Sequence, residues 1–143
     1  METVESYKDL DVWKQTRALV KSVYNLSRKF PRDEQFGLIN QLRRAVISVP
    51  SNIAEGCGRN YSKDSIQFFF IARGSLYEIE TQLILSNDLQ YISEEELRSI
   101  TEQVTRCKKI LNGFINYFQQ KSNNNQPTTI NETLEEYGSS YTI

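Results

Sequence analysis

The chain of 143 residues has no histidine, two cysteines, three prolines and six glycines. Each shortage removes a class of chemistry. Without histidine there is no Ser-His or Cys-His nucleophile pair and no His-containing zinc or di-iron site. A general acid or base would have to be a carboxylate, lysine, tyrosine or cysteine. Cys57 and Cys107 are too few for a zinc site of four thiolates. Neither G-x-G-x-x-G nor G-x-x-x-x-G-K-[ST] occurs. These absences point away from an enzyme, and no catalytic residue, metal or cofactor is assigned. Long hydrophobic runs are missing too. The most apolar stretch, residues 68–72, is far too short to span a membrane. Residues 1–11 are acidic and polar, unlike a signal or transit peptide. Two widely separated cysteines then read as reduced thiols, and the expected location is cytoplasmic.

An excess of one charge is also absent, with 17 basic against 18 acidic residues and a net charge of −1. That balance is unlike a dedicated nucleic-acid binder. It hides a division, however. Residues 122–143 hold Glu132, Glu135 and Glu136 with no basic residue, so the tail is acidic and residues 1–121 are mildly basic.

Hydrophobic residues at 38% and charged residues at 24% suit a globular domain, and they are arranged with helical period. Val12, Thr16, Leu19, Val23, Leu26 and Phe30 form one apolar line, flanked by Trp13, Val20 and Tyr24, and Pro31 ends it. A second line runs Ile39, Leu42, Val46, Val49, Ile53, Gly56, with Asp33 as N-cap and Gly56 and Gly58 at the end. Pro50 lies inside it and removes a hydrogen bond to Val46. Either the helix stops at Val49 and Ser51 or Asn52 caps a new one, or it continues through a kink. The apolar spacing stays in phase across Pro50, which favours a kinked continuous helix. A third segment from Ser62 is apolar on most of its circumference, with Arg73 and Glu80 on the apolar line and Gly74-Ser75 small enough for close helix approach. The fourth opens with a Ser93…Glu96 capping box and runs Leu97, Ile100, Val104, Cys107, Leu111, Phe114, Phe118.

The expectation is an all-α, antiparallel up-down-up-down four-helix bundle over residues 1–121, with helices at about 9–30, 34–57, 62–89 and 93–120 joined by short loops. Residues 122–143 show no helical period and read as a flexible, polar tail, whose Leu134, Tyr137, Tyr141 and Ile143 offer contacts to a partner.

A set of short motifs runs through these helices. They are Tyr7-Lys8-Asp9-Leu10-x-Val12-Trp13, Phe36-Gly37-Leu38, Gln41-Leu42-Arg43-Arg44-Ala45, Val49-Pro50-Ser51-Asn52-Ile53-Ala54-Glu55-Gly56-x-Gly58-Arg59 and Ala72-x-Gly74-Ser75-Leu76-x-Glu78-x-Glu80-Thr81-Gln82-Leu83. Together they resemble the four-helix-bundle proteins encoded in intervening sequences of bacterial 23S rRNA genes, a family once mislabelled as a ribosomal protein. That family is related to the accessory variability proteins of diversity-generating retroelements. The resemblance covers residues 7–121. It implies a ring-shaped homopentamer, no known enzymatic activity, and nucleic-acid binding, and it supports a second helix running through Pro50.

Lys14, Arg17, Lys21 and Arg28 share one line of the first helix with no acid between them. They suit a phosphate backbone as well as they suit an ordinary solvated face. A pentamer would present five copies. If four phosphates were neutralised, affinity for duplex DNA would fall with log salt at a slope of about −3.6. Arg43, Arg44, Arg59 and Lys63 are second candidates, and Arg106, Lys108 and Lys109 third. Aromatics do not alternate regularly with these basic residues, so base stacking is not expected. Pro50, Ser51, Asn52, Ile53, Ala54, Glu55, Gly56 and Gly58 serve the fold or a subunit interface more readily than a ligand. Within that run, Asn52 and Glu55 are placed to satisfy backbone groups freed by Pro50. Glu55, Glu78 and Glu80 lack the Glu-x-x-His element of a di-iron bundle. Cys107 reads as a buried small hydrophobe and Cys57 as exposed but unreactive. Trp13, Tyr24, Tyr77 and Phe68–Phe70 exceed the needs of one narrow core, so some should face a neighbouring subunit. The expected function is a homo-oligomeric scaffold binding rRNA or DNA through repeated basic surfaces. The alternative is an adaptor for an unidentified protein, with no direct nucleic-acid role.

Overall fold

The computed structural model describes residues 6–123 and 129–141. Five helices form: α1 (Asp11–Ser27), α2 (Leu38–Cys57), α3 (Ser62–Asp88), α4 (Glu94–Asn123) and α5 (Ile130–Tyr141). Short 3-10 turns at Tyr7–Asp9 and Arg32–Glu34 precede α1 and α2. The described residues contain no strand, only a single β-bridge between Tyr61 and Thr129. α1 packs on α2 and α4, and α3 packs on the same two, so the four long helices close into a cycle of contacts. The apolar lines point inward. Val12, Leu19, Leu42, Val46, Ile53, Leu76, Val104 and Leu111 are all buried, and Phe69, Phe114 and Phe118 form an aromatic cluster with centroids 4.7–5.1 Å apart.

The helix ends differ from the expected ones for local reasons. α1 stops at Ser27 rather than at residue 30, and the chain leaves it by a tighter turn in which the Phe30 N–H donates to the Ser27 carbonyl at 3.1 Å. Phe30 stays buried just beyond the helix. α2 begins at Leu38, and Asp33 does not cap it. Glu34 reaches forward instead, its Oε2 accepting from the Leu38 N–H at 3.0 Å. α2 then continues through Pro50 to Cys57 without interruption. α3 ends in a Schellman arrangement. The Tyr91 N–H donates to the Ser86 carbonyl and the Gln90 N–H to that of Asn87, with Gln90 in the left-handed region at φ 65°. The Ser93–Glu96 capping box of α4 forms as expected, at 3.0 and 3.1 Å.

The reading that residues 122–143 lack helical structure does not hold where the structure describes them. Residues 122–123 complete α4 and Ile130–Tyr141 form α5. Thr129 and Glu132 make a reciprocal capping box at its start. Ile130 and Leu134 are buried, and the Ser62 and Thr133 hydroxyls meet at 2.7 Å. Tyr137 packs on Phe114 and Tyr117 at 5.0 and 5.4 Å, and Glu136 pairs with Lys121. Leu134 and Tyr137 therefore serve this chain's own core. The Tyr141 side chain and Ile143 lie outside the described residues.

Within the Gly74-Ser75 pair, Ser75 is the residue at a close helix approach and Gly74 is not. A Cβ on Gly74 would meet nothing within 4 Å, whereas one on Gly56 would lie 2.5 Å from the Phe69 ring. Ser75 instead donates to Ser48 across α2 and α3 at 3.0 Å. Arg73 and Glu80 both reach α4, through Asn112 at 3.5 Å and Lys108 at 2.7 Å.

Candidate nucleic-acid interface

α1 places Lys14, Arg17, Lys21 and Arg28 in solvent, and none of the four joins an ion pair among the described residues. The line ends near Phe30, where Lys29 pairs with Glu96 of α4. At the other end Arg17 turns back over Trp13, its guanidinium 5.3 Å from the indole centroid. The two residues are four apart and so share one helix face. Tyr7, held by the turn before α1, meets the indole edge-on at 5.3 Å. An aromatic thus adjoins the basic line, because an i, i+4 pair meets once the helix forms.

Trp13 and Arg17 also border a groove of about 440 Å³ between α1 and α2. Tyr7, Val20 and Lys21 continue the α1 wall, and Ile47, Pro50, Ser51 and Ala54 form the opposite one. The groove thus joins the beginning of the motif pattern to its Pro-Ser-Asn-Ile-Ala run. Lacking a backbone N–H and a polar tip, Pro50 gives α2 an apolar face here. No carboxylate lines the groove among the described residues.

The rest of the Pro50–Gly58 run is structural. Ile53 and Gly56 are buried. Asn52 donates through Nδ2 to the Ser48 carbonyl at 2.8 Å and the Ser48 hydroxyl at 2.9 Å. It does not reach the Val46 carbonyl that Pro50 leaves free. Glu55 cannot satisfy a carbonyl, because an ionised carboxylate only accepts; it pairs with Arg59 at 3.2 Å. Gly58 closes α2, its N–H donating to Ala54 and Glu55.

The second group of cations divides. Arg43 is tied down, with Nε donating to Ser27 at 3.0 Å and the guanidinium 4.4 Å above the Tyr24 ring. Arg59 is held by Glu55 and lies 4.3 Å above Phe68. Arg44 and Lys63 are exposed and stand apart from the α1 groove. Of the third group, Lys108 is committed to Glu80, while Arg106 and Lys109 border a shallow depression on α4.

Both cysteines are quiet. Burial pushes the Cys57 thiol up to about 12, so its expected exposure does not hold. Cys107 is raised to about 11 by burial, with Arg106 opposing and Asp11 adding to the shift. Among the described residues no cluster of three or more Cys, Asp or Glu side chains is arranged to hold a metal. No described helix is long and apolar enough to cross a membrane.

The 23S rRNA-intervening sequence protein model matches residues 8–113, most of the chain and nearly all of its four-helix part. The chain belongs to the 23S rRNA-intervening sequence protein family. A crystal structure of a Bacteroides thetaiotaomicron VPI-5482 protein of unknown function, from the S23 ribosomal protein family, is similar. It is 26% identical with a TM-score of 0.68, over 73% of this chain and 97% of that one. No curated protein matches. α5 lies beyond the family match, which ends within α4.

Proposed function

We propose that this family member is a non-enzymatic, homo-oligomeric scaffold whose α1 surfaces bind structured RNA or DNA. In this reading the four long helices run antiparallel, α2 bends at Pro50, and copies assemble as a ring, with a pentamer as the expected form. The observation that carries it is the exposed line of Lys14, Arg17, Lys21 and Arg28 without a carboxylate partner among the described residues. One copy offers four cations, and a ring repeats them, so phosphate contacts add although the chain's net charge is −1. Cytoplasmic placement, where rRNA is accessible, belongs to the same proposal.

A separate surface suits self-association. Ile71 and Leu85 on α3, and Leu89 just after it, are each roughly half exposed. The depression beside Ile71, between α2 and α3, contains Arg44, Glu78 and Gln82. The Gln82 Oε1 is buried there with no hydrogen-bond partner among the described residues. A second copy brings apolar area to this side of the helix.

Replacing Lys14, Arg17 and Lys21 together by Glu tests the reading. Binding to rRNA or duplex DNA should be lost while the oligomeric mass from light scattering stays the same. Unchanged binding would sink the α1 surface.

A further inference from the structure

We propose that the groove between α1 and α2 takes an unpaired nucleobase, so that the chain prefers single-stranded over duplex nucleic acid. This deepens, and rests on, the reading of α1 as the nucleic-acid face. Three features converge there. The Trp13 indole and the Arg17 guanidinium, 5.3 Å apart, border the groove together and bring an aromatic and a cationic group to one wall. Bases stack on such surfaces whatever their identity, because every base has a π-face. Opposite it, Ile47, Pro50 and Ala54 supply an apolar wall. At about 440 Å³ the groove has the size of a small-ligand site.

Charge selects the occupant. Lys21 and Arg17 line the groove, Lys14 lies one helical turn away, and no carboxylate faces it among the described residues. An anionic partner is favoured, with phosphates along the α1 line and an apolar, planar group inside. An unpaired nucleotide has both. A duplex presents phosphates to the same cations but keeps its bases stacked, leaving the apolar wall unused.

Trp13 is the chain's single tryptophan, so its emission reports this groove alone. The full chain is titrated with short oligoadenylate, with a duplex of equal length and with polyglutamate. Oligoadenylate should quench Trp13 emission more than the duplex does. Measured with labelled oligoadenylate, Trp13→Leu should weaken binding about ten-fold with an unchanged salt slope, and Trp13→Phe should retain it. Lys21→Gln should instead lower the slope by about 0.7. If Trp13→Leu does not fold, the wild-type emission decides. Oligoadenylate binding that leaves the emission unchanged would overturn the groove and leave the cationic surface standing. Failure of both nucleic acids to bind would overturn both. Equal quenching by polyglutamate would point to an acidic protein partner and overturn the proposal. Trp13 emission in the free protein that becomes more accessible to acrylamide when the assembly is diluted to single chains would show the groove covered by a second copy, and would overturn the proposal as well.

Discussion

Gly56 and Gly74 both sit inside helices, yet a methyl group has opposite consequences at the two. At Gly56 it would press into Phe69, which is fully buried between Phe114 and Phe118 and cannot yield without disturbing them. Gly56→Ala should cost about 1–3 kcal/mol, as overpacking does. At Gly74 the space is open, and Gly74→Ala should stabilise by about 1 kcal/mol through helix propensity. Denaturant unfolding of the two variants checks the pair, and equal effects would contradict the packing. Periodicity reads which helix face is buried, and Leu19, Val46, Leu76 and Leu111 are all where it puts them. It does not read interhelical distance. Of the small pair Gly74-Ser75, only Ser75 meets the neighbouring helix, whereas the need for glycine itself arises at Gly56, against Phe69. The same limit applies to Arg43 and Arg59. Their charge is plain in the sequence, but the rings of Tyr24 and Phe68 that claim them come from other helices.

α5 has a period that is present in the sequence but masked by what precedes it. Ile130, Leu134 and Tyr137 follow a 4-3 spacing, and Thr129…Glu132 is a capping box. The Asn-rich, proline-containing stretch before it hides a short helix that has a stable place only against Phe114 and Ser62. Its docking should depend on pH. Hydrogen bonds from Lys121 and then Tyr117, and the Lys121 charge, hold the Glu136 carboxyl below the usual carboxylate range against a small opposing effect of burial. A depressed folded-state value means that the stabilisation is present above the unfolded value and lost as pH falls through the folded one. Limited proteolysis should thus release α5 more readily below about pH 4.5. Glu136→Gln should flatten that dependence. Leu134→Ala should loosen α5 at every pH, costing about 2–5 kcal/mol of local stability.

At the scale of the whole molecule, two outer surfaces have different chemistry and therefore different expected partners. The α1–α2 groove is apolar inside and cationic at its edge. The outward side of α3 is apolar along Ile71 and Leu85, which are fourteen residues apart and so nearly eclipsed on a helix. Four-helix architecture is readable in the sequence because each helix must bury a stripe and short loops leave few ways to do so. Assembly is less readable, because a helix that is apolar all round looks the same whether it is covered by its own chain or by another. Leu85→Glu separates these cases. Leu85 is 46% exposed in the single chain, so a carboxylate there is solvated and the fold should keep its helical circular dichroism. In an assembled ring the same carboxylate would be desolvated against apolar side chains at a cost of several kcal/mol. Light scattering should then show the mass falling toward that of one 16.7 kDa chain, with Trp13-reported binding to a single oligonucleotide retained and its avidity for long RNA reduced. An unchanged mass would remove this side of α3 from the subunit interface.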